Sequence, residues 1–114
     1  MASTGGKAKV APIHDDDLTA RLVEAVLGWR AGPDRFVKHG RSWTPRSRFK
    51  PLVRLEDAFL LLDRAGCTCV LSVSPDRVFT AQVRVGDRTG KATGEPKART
   101  ITLAICRALG IGAA

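Results

Sequence analysis

The sequence predicts an α+β domain: a small antiparallel sheet of two to three strands packed with three helices, plus a basic loop or short hairpin between the first two helices. Three observations lead there. From Val78 to Val85, Phe79, Ala81, Val83 and Val85 alternate with Thr80, Gln82 and Arg84, the period-two pattern of a half-buried strand. Just before it, Cys67, Cys69, Leu71 and Val73 alternate with Thr68, Val70 and Ser72, and Ser74-Pro75-Asp76-Arg77 supplies a turn between the two runs. Helical spacing of apolar residues recurs over about Asp17–Leu27, Leu55–Arg64 and the stretch after Pro96, with no internal repeat or heptad.

The elements follow in chain order. Residues 1–14, MASTGGKAKVAPIH, are small, polar and Gly/Pro-containing and read as a disordered tail; residues 15–112 read as a single domain. Asp15, Asp16 and Asp17 suit the positive N-terminus of a first helix better than a metal site, since no His or Glu stands at ligand spacing. That helix carries Leu18, Leu22, Ala25, Val26 and Trp29 on its expected apolar face. The second helix presents Leu55, Ala58, Phe59, Leu61 and Leu62, and Gly66 stops it. Gly86, Gly90 and Gly94 punctuate a turn region after the second strand, with Gly90 to Gly94 offering a short third strand. Pro96 suits the first position of the last helix. There Ala98, Ile101, Ala104, Ile105, Ala108 and Leu109 recur at helical spacing before Gly110 in the C′ role.

Composition narrows the function classes. The chain has 114 residues, a formal net charge of +8 and only six aromatic residues. Its pI is near 10.3. A charge of this size points to an anionic partner, or simply to a soluble basic protein. No apolar run reaches membrane-spanning length and the N-terminus lacks a signal-peptide core, so the expectation is a cytoplasmic protein with no membrane partner.

The charge is concentrated. Between Arg30 and Arg54 stand eight basic residues and one acid, Asp34, or 8 − 1 = +7; the rest of the chain has 11 bases and 10 acids, or +1. Phe36, Trp43 and Phe49 are interleaved with them and are expected to pin the segment to the core. Pro33, Pro45 and Pro51 rule out a long helix, and Val37–Trp43 reads as a hairpin with Gly40 in its turn. Interleaved aromatic and basic residues are what phosphate and single-strand binders need for stacking and charge neutralisation. The candidate nucleic-acid or anion-binding residues are therefore Arg35, Lys38, Arg41, Trp43, Arg46, Arg48 and Lys50. Lys97 and Arg99 join them from the start of the last helix, where free backbone N–H groups favour anions. The competing reading is a set of core anchors under a solvated charged face.

Other chemistry finds little support. Cys67, Cys69 and Cys106 sit in apolar periodic runs and read as reduced core thiols, although Cys67 and Cys69 share a strand face and a zinc site could draw on Cys106 and His39. His14 and His39 stand beside no nucleophile, and Glu24 and Glu56 are isolated. No catalytic residue, metal site or cofactor is expected, and the chain reads as a non-enzyme.

Four motifs resemble the phage ABA sandwich domain family. They are Leu22-Val23-Glu24-Ala25-Val26-Leu27-Gly28-Trp29, then Trp43-Thr44-Pro45, then Ala58-Phe59, then Leu103-Ala104-Ile105-Cys106-Arg107-Ala108-Leu109. They are similar to that family's VAE-x-VMGW opening, its W-x-P loop and its AICRAAL closing helix, and span about Asp17 to Gly110. The resemblance implies phage or prophage ancestry and an alpha/beta sandwich, with no enzyme activity. The arginine-rich loop is longer and more basic than the family pattern. Leu55 to Leu109 is also similar in topology to the double-stranded RNA-binding domain, whose last helix starts with a lysine cluster that grips phosphates. Lys97 and Arg99 stand near those positions, but the Ser74–Arg77 loop is too short to reach a second minor groove.

The expectation is thus a small non-enzymatic phage-derived module. It binds an anionic partner, nucleic acid or nucleotide first, through the basic aromatic-interleaved loop. The alternative is a protein-interaction, assembly or host-defence-inhibiting phage protein that binds no nucleic acid.

Overall fold

A computed structural model of the protein describes residues 14–111. The tail expected over residues 1–14 lies, His14 apart, outside the described residues. Within them the fold is α+β: three helices and two separate three-stranded antiparallel sheets. The first helix, α1, spans Asp15–Leu22 and continues as a wider π-helical turn over Val23–Leu27. The first sheet contains β1 (Arg30–Ala31), β2 (Arg35–Val37) and β3 (Trp43–Pro45), in that spatial order. Then come a 3₁₀ turn at Arg46–Arg48 and α2 (Leu55–Ala65). The second sheet is the meander β4 (Thr68–Val73), β5 (Phe79–Val85) and β6 (Arg88–Thr93), followed by α3 (Lys97–Leu109).

The π turn explains a difference from the sequence expectation in α1. A turn of more than 3.6 residues rotates the helix surface. The buried face runs Leu18, Leu22, Val23, Leu27, while Ala25 is exposed and Val26 is half-buried. Asp15, Asp16 and Asp17 all lie in the first turn, as the helix dipole favours, and Gly28 ends the helix at φ +71°.

The second sheet and α3 form the densest part. Phe79, Ala81 and Val83 of β5 and Ala92 of β6 point at α3, which buries Ala98, Ile101, Ala104, Ile105 and Ala108. Gly90 lies in the middle of β6 rather than in a turn. A Cβ there would stand 2.2 Å from the Ala104 carbonyl oxygen and 2.3 Å from the Ala108 nitrogen. Glycine is required because helix backbone touches strand backbone, not because of φ. Gly86 at φ +63° and Gly94 at φ +128° do serve the turns.

Helix α2 packs on α3 and on the π turn. Ala58, Leu61 and Leu62 are buried, whereas Leu55 and Phe59, expected on the same apolar face, stay largely exposed. The two buried hydroxyls of α3 find backbone acceptors. The Thr100 hydroxyl donates to the Gly94 carbonyl at 2.9 Å, and that of Thr102 to the Pro51 carbonyl at 2.7 Å. The second bond ties the end of the basic segment to the core helix, and both avoid the cost of an unpaired buried donor.

Candidate functional site

The segment Arg30–Arg54 is built around three aromatic rings. Phe36, 1% exposed, sits in the middle of β2, and Phe49, 4% exposed, follows the 3₁₀ turn. Both rings meet Trp29 at the end of the first helix. Trp29 and Phe49 are 5.4 Å apart at an interplanar angle of 64°, and Phe36 and Phe49 6.1 Å apart at 89°. These edge-to-face contacts add to the burial of apolar area and hold the small sheet against α1. Trp43 is not an anchor, contrary to expectation. Strand register pairs Val37 with Trp43 and Arg35 with Pro45, while Phe36 pairs with Thr44 and Ala31. Side chains alternate along a strand, so Phe36 takes the inner face and Trp43 the outer. Trp43 is 51% exposed.

The outer face carries the charge. Arg30, opposite Val37, shares it with Arg35, Val37, Trp43 and Pro45. The Arg35 guanidinium lies 4.2 Å from the Trp43 ring centre, close enough for stacking, and also contacts the Asp34 carboxylate at 3.3 Å. Lys38 places its ammonium 5.0 Å over the Trp29 ring. The β2–β3 turn closes with the Lys38 N–H donating to the Ser42 carbonyl at 2.9 Å, and Gly40 takes φ +67°. Arg41 is exposed in that turn; Arg48 and Lys50 are exposed at its far side along the chain. Among the described residues Arg30, Arg41, Arg48 and the Lys50 ammonium form no ion pair, so their charge is free for a ligand.

Arg46 is placed differently from its neighbours. Its Nε donates to the Gly32 carbonyl at 2.7 Å, Nη1 reaches the Asp16 carbonyl at 3.4 Å, and the guanidinium lies 5.1 Å over Phe36. It ties the β1–β2 turn to the first turn of α1, which makes it a structural residue of the segment. Arg54 is held by Asp57 at 3.7 Å and Glu56 at 3.5 Å, and Asp57 also accepts the Lys50 backbone N–H at 2.9 Å.

Lys97 and Arg99 do not join the free cations. Lys97 pairs with Glu95 at 3.7 Å and lies 5.5 Å over the Phe79 ring. Arg99 donates to the Asp15 carboxylate at 2.8 Å, linking α3 to the start of α1. The structure thus brings Arg35, Trp43 and Arg30, which was not among the expected binding residues, onto one face, with Arg41 in the turn beyond it. Lys97 and Arg99 at the helix start are instead each engaged with a carboxylate. The missing signal for Arg30 was strand register: only the pairing of β1 with β2 reveals which face it takes.

The cysteines are free thiols. Burial pushes Cys106 up to about 12, and burial also raises Cys67 and Cys69. Among the described residues no three His, Cys, Asp or Glu side chains gather as a metal set. No helix among them is long and apolar enough to cross a membrane.

No protein-family model matches the chain, and no curated protein matches its sequence. A solved structure does match: a phage protein from Bacillus cereus ATCC 14579. It superposes with a TM-score of 0.71 over 91% of this chain and 94% of its own, at 12% sequence identity. At that identity the likeness establishes the shared α+β fold.

Proposed function

We propose that this protein is a non-enzymatic, cytoplasmic phage-derived module that binds nucleic acid or a nucleotide through the outer face of β1–β3. The observation that carries the reading is the half-exposed Trp43 ring with Arg35 stacked on it at 4.2 Å and Arg30 on the same sheet face. An aromatic face gives a base a stacking platform, and Arg30, Arg41, Arg48 and Lys50, which form no ion pair among the described residues, give phosphates their counter-charge. The shared fold with a phage protein supports the ancestry, and the four motifs support membership of the phage ABA sandwich family.

The test is equilibrium binding of oligonucleotides, single-stranded and duplex, at several salt concentrations. Log affinity should fall linearly with log salt, with a slope of about −0.9 per phosphate neutralised on a duplex and about −0.7 on a single strand. Arg41→Gln or Arg48→Gln should shallow the slope by about one unit. Absence of binding to any polyanion at ~50 mM salt overturns the reading.

A further inference from the structure

The outer face of the first sheet is small enough to take residue by residue. Strand register sets Arg30, Val37 and Trp43 in one row across the three strands, and Arg35 beside Pro45 in the next. Gly32, whose N–H donates to the Arg35 carbonyl at 2.8 Å, ends the second row without a side chain. Rows two residues apart are about 7 Å distant and adjacent strands about 4.8 Å, so the patch measures roughly 10 by 7 Å, the scale of a nucleobase and its neighbour. Its floor is apolar, and its cations are Arg30 and Arg35, the latter paired with Asp34 at 3.3 Å. The Arg35 guanidinium takes one side of the Trp43 ring at 4.2 Å, so the 51% exposure of Trp43 falls on the other side and the ring edge.

We propose that this face takes an unpaired base, and so single-stranded nucleic acid rather than duplex. The base stacks on the open side of the Trp43 ring to complete a guanidinium–indole–base stack, and Arg30 and Arg41 meet the flanking phosphates. This inference rests on the nucleic-acid reading above and narrows it. A base inside a duplex has both faces taken by its neighbours and shows only its edges in the grooves, whereas a single strand offers its π-faces. Duplex readers need side chains that reach those edges, such as a bidentate Asn, Gln or Arg. Here the outer positions of β2 and β3 are Val37, Trp43, Pro45 and an Arg35 already turned onto the ring. With no amide or hydroxyl side chain on those positions, binding is indifferent to sequence. One stacked base is worth about 5- to 150-fold in affinity, too little to hold a free mononucleotide on an open sheet, so the phosphates of a strand must add to it.

Fluorescence titration at ~50 mM salt is the test. The chain has two tryptophans, and a base stacked on Trp43 should quench its emission. The probes are a mixed-sequence single-stranded DNA of about twelve nucleotides, the RNA of the same sequence, the blunt DNA duplex, and inorganic polyphosphate as a polyanion without bases. The two single strands should bind alike, since base and phosphate rather than sugar meet the protein, and about tenfold or more tighter than duplex or polyphosphate. Trp43→Leu should lose about 5- to 150-fold in single-strand affinity, with duplex and polyphosphate binding and the circular dichroism unchanged. Trp43→Phe should keep most of the affinity but lose the quenching. Duplex or polyphosphate binding as tight as that of the single strands means charge without stacking, which overturns this inference and leaves the electrostatic reading of the face standing. Quenching that survives in Trp43→Phe overturns it too, because the base then lies on Trp29. So does binding of only one of the two single strands, because recognition then lies with the sugar. Failure of all four probes overturns this inference and the nucleic-acid reading together.

Discussion

The two sheets have the same strand count and the same antiparallel order, yet they are held by different means. β4–β6 uses strands of six and seven residues, pressed on α3 so closely that Gly90 admits no Cβ. β1–β3 uses strands of two and three residues, too short to cohere alone, and depends on the ring cluster of Trp29, Phe36 and Phe49. A long sheet on a helix buries enough apolar area to stand as a core. A short sheet pinned at one point leaves its other face free to carry charge without disturbing that core. The densest packing and the candidate site thus sit in different sheets, joined by Thr102 to Pro51 and by Arg99 to Asp15.

The strongest way to break this comparison is to remove the pin. Phe36→Ala should cost about 3–5 kcal/mol in chemical denaturation, the usual range for a fully buried Phe. A cost under about 1 kcal/mol would show that the basic sheet is not coupled to global stability. Gly90→Ala should cost about 3 kcal/mol, the upper end for overpacking, because the obstructing atoms are helix backbone and cannot rotate away. Near-wild-type stability would mean that α3 can lift off β6 freely.

Two further measurements sharpen the division. Arg46→Gln should lose about 1–3 kcal/mol of stability, since the Gly32 carbonyl loses a charged donor, while the similarly basic Arg41→Gln stays within about 0.5 kcal/mol. Equal effects would erase the distinction between tether and free cation. Trp43→Ala should likewise cost under about 1 kcal/mol of stability but about 1–3 kcal/mol of oligonucleotide affinity, the range for a lost stacking platform.

A pH series completes the set with the smallest effect near neutrality. The Cys106 thiol is raised from 9.0 to about 12 by burial. The folded state therefore holds its proton where the unfolded state has lost it. The stabilisation is fully present below pH 9 and is lost as pH rises toward 12, by about 1.4 kcal/mol per pH unit at most. Cys106→Ala should flatten that alkaline slope in denaturation curves recorded between pH 8 and 11. An unchanged slope would assign the alkaline sensitivity to other groups.

Local patterns along the chain determined the helices, the β4–β5 hairpin, a third strand near Gly90 though not its bounds, the Gly40 turn, the Gly110 stop and the concentration of charge between Arg30 and Arg54. Each of these is written in nearest-neighbour periodicity, turn chemistry or composition, which physics reads within a few residues. Tertiary structure decided what depends on how elements meet. Strand register turned Trp43 outward and Phe36 inward. The π turn moved the buried face of α1 from Ala25 and Val26 to Val23 and Leu27. Contact with α3 gave Gly90 its role, and the reach of Arg46 to the Gly32 carbonyl separated it from cations that look identical in sequence. The position of α3 over β5 and β6 left Leu71 and Val73 uncovered, although their alternation is that of buried residues. Alternation fixes which side of a strand a residue takes, but only the placement of the covering layer decides whether that side is dry.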